Sequence, residues 1–339
     1  MKISVLGAGS WGTTLAIHLS KNGHNVSLWE RDRERLELLK QDRESKLFLP
    51  GISFPDELNI TDNIESSISE AETIVFAVPS QFMRQTAGLI KNNWNKENMS
   101  ILPLVTVAKG FEVDTHLLMS HVLIEELEDN AADNLCVLSG PSHAEEVSRG
   151  VPTALVAASS SVSVSEQVQK TFFSPSLRVY VSSDVIGTEF GGALKNIIAI
   201  AAGIVDGAGF GDNTKAALMT RGLVEITRLG VTMGAMDDTF RGLAGMGDMI
   251  VTCMSKHSRN RHVGEEVGKG RSLEQVLDEM TMTAEGVNTT KVIKHLSKEK
   301  GVEMPISDQV YDVLFEGKSP HKAVEDLMAR DPKSEKMND

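Results

Sequence analysis

At 339 residues the chain is too long for one small core and suits two domains of ordinary size. Its 41% hydrophobic and 24% charged residues are those of a water-soluble globular protein, and its net charge of −13 excludes a general nucleic-acid or anionic-membrane surface. Any anionic ligand is therefore expected to be held by a local cluster of Lys, Arg and backbone N–H groups.

Cys136 and Cys253 are far apart in apolar settings, so neither a disulfide framework nor zinc spacing is expected, and no metal ligand is assigned. The amino terminus does not have the pattern of a signal peptide. The longest apolar stretch, around Ile197 to Val205, is bounded by Lys195 and Asp206 and reads as too short to span a bilayer. A cytoplasmic protein is expected.

In chain order, the apolar strand Lys2–Leu6 breaks into Gly7-Ala8-Gly9-Ser10-Trp11-Gly12, a helical stretch follows from Thr13 to Asn22, and a second strand runs from Asn25 to Trp29. Within this βαβ unit the three glycines have separate roles. Gly7 turns the chain, Gly9 admits a pyrophosphate, and Gly12 lets helix and strand pack closely. The helix then presents free N–H groups and its positive end to the phosphates.

Further strands are expected at 73–78, 100–106, 135–138, 153–158 and 177–182. Helices are expected at 32–41, 81–92, 117–127 and 163–173. Several of these strands are nearly all apolar, which predicts a doubly wound, parallel α/β sheet covered on both faces. After Asp184 helical periods take over, at 187–207, 213–233, 239–245, 259–269, 272–279, 287–300, 307–315 and 321–329. The expected domains are therefore 1–185, a Rossmann-type nucleotide-binding domain, and 186–330, an all-α substrate domain. A charged tail at 331–339 is expected to be disordered.

Several clusters could carry chemistry. The second strand ends in Glu30-Arg31-Asp32-Arg33. An acidic residue there favours NAD, whereas an arginine can hold the 2′-phosphate of NADP; Arg31 is the stronger candidate and Arg33 also reads as helix charge. Lys109, in Ala108-Lys109-Gly110, ends another strand at the edge where ligands bind. Ser139-Gly140-Pro141-Ser142-His143-Ala144 places glycine and hydroxyls ahead of a helix.

Gly187, Gly191, Lys195 and Ala199 form one helical stripe. Glycine there costs about 1 kcal/mol per position against alanine, so a ligand or second backbone should approach closely. Asp248 follows the glycine turn 245–247. Ser258-Arg259-Asn260 opens a helix as either a phosphate cradle or an ordinary capped end.

These motifs together resemble the bacterial-type NAD(P)-dependent glycerol-3-phosphate dehydrogenases. The matching pieces are Gly7 to Gly12, Val78-Pro79-Ser80, Ala108-Lys109-Gly110, Ser139-Gly140-Pro141, Gly191 to Asn196, Gly245 to Asp248, Ser258-Arg259-Asn260, Ala284-Glu285-Gly286 and Glu303 to Ile306. The resemblance implies a 6-phosphogluconate-dehydrogenase-like pair of domains and reversible reduction of dihydroxyacetone phosphate to sn-glycerol 3-phosphate with NADH or NADPH, for glycerophospholipid synthesis.

It also implies that Lys195 is the general acid/base and that Lys109, Gly140, Ser142, Asp248, Ser258, Arg259 and Asn260 surround the substrate. Gly7, Gly9, Ser10, Trp11, Gly12, Arg31, Lys109, Ala144, Arg259, Thr283 and Glu285 would line the cofactor. Glu30 and Thr283 depart from the residues that are frequent in that family, and Ser142 replaces a frequent threonine. A homodimer is expected, with neither nucleic acid nor membrane as partner. The competing readings are a β-hydroxyacid or 6-phosphogluconate-like dehydrogenase and a nucleotide-sensing protein without catalysis.

Overall fold

The computed structural model describes residues 1–93, 102–127, 129–332 and 334–335. It divides into two compact units, Met1–Glu189 and Phe190–Asp339.

The first unit runs β1 (Lys2–Leu6), α1 (Ser10–Lys21), β2 (Asn25–Trp29), α2 (Arg33–Asp42), β3 (Glu44–Ser45), β4 (Leu49–Ser53), β5 (Asn59–Thr61), α3 (Ile64–Ile68) and β6 (Thr73–Phe76). A 3-10 turn at Ser80–Phe82 leads into α4 (Met83–Asn93). The unit continues with β7 (Leu104–Thr106), α5 (Met119–Leu127), β8 (Leu135–Ser139), the single-turn α6 (Ala144–Val147), β9 (Thr153–Ala158), α7 (Val162–Phe172) and β10 (Leu177–Ser182).

Eight strands form one sheet in the order β10-β9-β8-β7-β6-β1-β2-β5. Alternate residues of β1 feed two cores, as a doubly wound sheet requires. Val5 joins Leu15, Leu19, Val168 and Phe172 on one face. Leu6 joins Met83, Ile90, Val122 and Leu123 on the other.

The expected parallel sheet needs one correction: β9 pairs antiparallel to β8, and β10 then runs parallel to β9. The link from β8 to β9 carries only the single turn of α6, so β9 runs back beside β8. Apolar composition reports burial on both faces and is silent on direction. The hairpin β3–β4 and the edge strand β5 are further elements that the apolar pattern does not mark. Of the expected strand at 100–106, residues 100 and 101 lie outside the described residues, as do 333 and 336–339 of the expected disordered tail.

Helix α8 (Val185–Gly207) crosses the division. It is followed by α9 (Asp212–Thr232), α10 (Asp237–Phe240), a π-helical turn at Leu243–Gly247, α11 (Asp248–Met254), α12 (Arg259–Gly268), α13 (Leu273–Asp278), α14 (Glu285–Lys300), α15 (Pro305–Phe315) and α16 (Pro320–Met328). The expected helix at 239–245 is thus replaced by a short helix and a π turn, and α11 is additional. Glycines at 242, 245 and 247 erase the helical period there.

The expectation about membrane length is also corrected. At 23 residues α8 is long and apolar enough to cross a bilayer, but 89% of its apolar window is buried inside the structure, as in a core helix. An uninterrupted apolar run undercounts such a helix because Lys195 sits inside it.

Small residues let α8 touch its neighbours backbone to backbone. A Cβ on Gly203 would fall 2.0 Å from the Arg261 carbonyl oxygen, and one on Gly264 would fall 1.9 Å from that of Ile200. At Gly191 it would fall 2.5 Å from the Ala244 oxygen, so at this point of the stripe the close neighbour is a second backbone.

Two buried carboxylates hold helix starts. Glu189 accepts from Ser120 N at 2.9 Å and from the Ser120 hydroxyl, at the first turn of α5. Glu225 accepts from Ile306 N at 2.7 Å and Ser307 N at 3.2 Å, at the start of α15. Burial pushes each carboxyl up to about 7, above the ordinary 4.5, and the donated hydrogen bonds oppose this only in part.

Between 4.5 and about 7 the folded chain keeps a proton that the unfolded chain has released, so stability falls as pH rises through that window. Urea unfolding of Glu225→Gln, compared with wild type at about pH 5 and about pH 7.5, is expected to show a weaker loss of stability with pH. An unchanged pH dependence would contradict the assignment.

Candidate active site

In the first unit, α1 starts at Ser10 with Gly9 as its N-cap, no side chain caps it, and its first turn holds no acidic residue. Gly7 turns the chain at φ +110°, a conformation that L side chains rarely adopt. A Cβ on Gly12 would lie 2.0 Å from the Gly7 oxygen, whereas nothing lies within 4 Å of a Cβ placed on Gly9. The turn is therefore closed behind and open in front. Uncapped N–H groups, a positive helix end and room at Gly9 fit a pyrophosphate. Trp11 packs partly buried against the adjoining core.

At the end of β2, Glu30 is buried and committed. One oxygen accepts from Asp32 N at 2.9 Å, and the other pairs with Arg35 at 2.9 Å. Arg35 also donates to the Ala8 oxygen at 3.1 Å, tying this carboxylate to the glycine turn. Arg31 is exposed, donates to Gln85 Oε1 at 2.8 Å and lies 5.4 Å from the Phe82 ring centre. Arg33 pairs with Asp62 at 3.4 Å on an almost fully exposed side chain, as ordinary helix charge would.

Lys109 and Ser142 converge on one atom, donating to the Gly140 carbonyl oxygen at 3.0 and 2.9 Å. Ala144 begins α6, and its oxygen accepts from Thr14 Oγ1 at 3.3 Å.

In the second unit, Lys195 is only 6% exposed and Asp248 only 1%. The ammonium donates to Asp248 Oδ1 and, at 2.7 Å, to Thr252 Oγ1. Thr252 in turn donates to the Asp248 carbonyl oxygen at 2.6 Å, one helical turn back. Ser258 is the N-cap of α12 and accepts from Arg261 N at 3.2 Å. Arg259 is exposed and donates to the Thr283 oxygen at 3.1 Å, one residue before the N-cap of α14, which Glu285 opens.

Asn260 is buried. Its Nδ2 donates to Asn196 Oδ1 at 2.9 Å, and its Oδ1 accepts from Gly286 N at 2.9 Å, linking α8, α12 and α14. Arg35, Asn196 and Thr252 are contact residues that motif reading missed. Asn196 sits beside Lys195 in a motif already marked, and Thr252 follows Asp248 at helical spacing once α11 is recognised.

A buried ammonium without its carboxylate is strongly unfavourable. Asp248→Ala is expected to cost about 3 kcal/mol in chemical unfolding, and the double change Lys195→Met with Asp248→Leu should recover most of it. Equal losses in both proteins would mean that the pair contributes nothing through charge.

Comparison with known proteins adds independent support. Residues 2–165 match the family model for the NAD-dependent glycerol-3-phosphate dehydrogenase N-terminus, and residues 184–325 match the model for the C-terminus. The chain is 51% identical over 336 residues to a glycerol-3-phosphate dehydrogenase [NAD(P)+] of Pelodictyon phaeoclathratiforme, covering 99% of this chain and 100% of that one. It is 51% identical over 335 residues to the protein of the same name from a Thermoanaerobacter species, covering 99% of each. A crystal structure of glycerol-3-phosphate dehydrogenase from Coxiella burnetii superposes with a TM-score of 0.91 at 34% identity, over 97% of this chain and 98% of that one. The uncapped glycine turn, the buried lysine–aspartate pair and these full-length matches place the chain in the NAD-dependent glycerol-3-phosphate dehydrogenase family.

Proposed function

We propose that Lys195 is the general acid and base of the reaction, with Asp248 and Thr252 fixing its charge and direction. The chain carries out the family reaction, the reversible NAD(P)H-dependent reduction of dihydroxyacetone phosphate to sn-glycerol 3-phosphate.

NADH or NADPH held at the Gly7–Gly12 turn would supply the hydride that the C2 carbonyl carbon needs. The C2 oxygen gains electron density as the carbonyl opens, and the Lys195 ammonium stabilises that charge and gives up its proton. The amine left behind regains a proton from water. The observation that carries this reading is the ion pair, because a carboxylate at hydrogen-bond distance favours the protonated lysine that reduction needs. Oxidation needs the neutral amine, which Asp248 disfavours. Reduction is therefore the working direction, supplying glycerophospholipid synthesis in the cytoplasm.

The remaining roles follow the chemistry of each group. Gly7, Gly9, Ser10, Trp11 and Gly12 hold the pyrophosphate side of the nucleotide, and Ala144, Arg259, Thr283 and Glu285 complete its contacts. Lys109, Gly140 and Ser142 serve substrate in the first unit, and Lys109 also serves the cofactor. Ser258, Arg259 and Asn260 take the phosphate ester. Ser258 can still donate its hydroxyl, and Asn260 keeps a second amide hydrogen. With Glu30 committed to Arg35, the exposed Arg31 is the group that reads a 2′-phosphate, which favours NADPH.

A homodimer is also proposed, supported by the stripe Met246, Ile250 and Met254, exposed at 37%, 41% and 66% at helical spacing. Light scattering that returned the chain mass of 36.8 kDa at working concentration would overturn it.

Initial rates of NADH and NADPH oxidation with dihydroxyacetone phosphate test the roles together. Lys195→Ala is expected to lower kcat by about 10³-fold, within the range for loss of a positioned acid. Arg31→Ala is expected to raise KM for NADPH about tenfold and to leave that for NADH unmoved. Survival of turnover in Lys195→Ala would move the proton to Asp248 or Lys109.

A further inference from the structure

We propose that a cavity on the first unit binds a phosphate monoester with a short apolar body and thereby tightens the grip on the nucleotide. The second half rests on reading the turn at Gly7–Gly12 as the nucleotide site. The cavity, about 530 Å³, is formed by the later turns of α1, the end of α6 and the segment before β10.

Its charge is one-sided. Lys21 and Arg149 line it and no carboxylate does. Among the described residues neither cation has an ion-pair partner. Both are exposed, but in a chain of net charge −13 two cations in one concavity with no carboxylate in its lining favour an anion there. His18 lines the same wall but its ring is already engaged with the Phe172 oxygen at 2.8 Å, and burial with Lys21 nearby holds it below the ordinary histidine range.

Hydroxyls line it too: Ser148 Oγ donates to the Glu145 oxygen at 3.2 Å, and Ser174 and Ser176 share one hydrogen at 3.3 Å, which leaves the other hydroxyl of that pair able to donate to a ligand. Ile17, Val147, Pro152 and Pro175 make the rest of the lining apolar. Cations and hydroxyls beside an apolar wall suit a phosphate ester better than bare phosphate.

The link to the nucleotide is Thr14, which also lines the cavity. Its hydroxyl reaches the Ser10 oxygen at 2.8 Å and the Ala144 oxygen at 3.3 Å, joining the first residue of α1 to the first of α6. Arg149 follows two residues after the end of α6, and its N–H donates back to the Glu146 oxygen at 3.1 Å, so its backbone continues from the turn that Ala144 begins. An anion that draws Arg149 toward Lys21 pins α6 onto α1 and steadies both ends of the Thr14 bridge.

The test is calorimetric titration of n-butyl phosphate and of inorganic phosphate into enzyme saturated with NADPH and glycerol 3-phosphate, two ligands that cannot react together and that fill the other anion sites. Wild type is expected to bind one further equivalent, the butyl ester about tenfold tighter than phosphate through its apolar contacts. The double variant Lys21→Gln with Arg149→Gln should bind at least tenfold more weakly, with kcat unchanged when no ester is added.

NADPH affinity, followed by fluorescence, should tighten about fivefold with the ester present in wild type and not in that variant. No saturable binding, or equal binding by the variant, overturns the site. Equal affinity for the two phosphates overturns the apolar wall, and an unmoved NADPH affinity overturns the coupling. Gly12→Val separates this from the nucleotide reading. If it still binds the ester it is folded, and undiminished NADPH binding would then sink the reading of the turn alone.

Discussion

A buried ammonium ion is tolerated only with a carboxylate and further acceptors around it, and the helical unit is laid out to provide them for Lys195. The π turn at Leu243–Gly247 ends where Asp248 begins α11, and it can approach α8 because Gly191 has no side chain to hold its backbone away. Gly191 and Lys195 share one face of α8. The small residue and the charged one therefore have a common cause: closeness at the first brings the carboxylate within reach of the second. Thr252, one turn along α11, closes the set.

A second buried charge organises the first unit. Glu30 sits where a ribose-binding acid would, but its two oxygens are used by the chain itself, on Asp32 N and Arg35. Through Arg35 and the Ala8 oxygen, that carboxylate braces the glycine turn. Its neighbour Arg31 stays exposed against Gln85 and Phe82. Two adjacent residues of opposite charge thus have different surroundings: one is buried and supports the backbone, and the other stays at the surface.

Much of this could be read from the chain. The strands at 2–6, 153–158 and 177–182 have the bounds that their apolar runs mark, and the Gly7–Gly12 turn lies between strand and helix as its spacing requires. Other features resisted reading for physical reasons. The reversal of β9 depends on the short path between β8 and β9, and side-chain pattern does not encode it. Helix α11 hides because three glycines interrupt the period ahead of it. Thr252 and Asn196 look like ordinary helix residues until packing gives each a partner.

Local chemistry alone therefore determined which residues could form the nucleotide turn, which lysine stood on a glycine-lined helix face, and where the α/β half gave way to helices. These follow from periodicity, backbone freedom and charge, which neighbouring residues already express. Only the tertiary structure decided that Lys195 pairs with Asp248 and Thr252 and that Asn260 joins three helices. Those outcomes depend on which distant backbones can come within van der Waals contact. Burial then makes each polar group take a partner or lose several kcal/mol, and no local stretch of chain contains that partner.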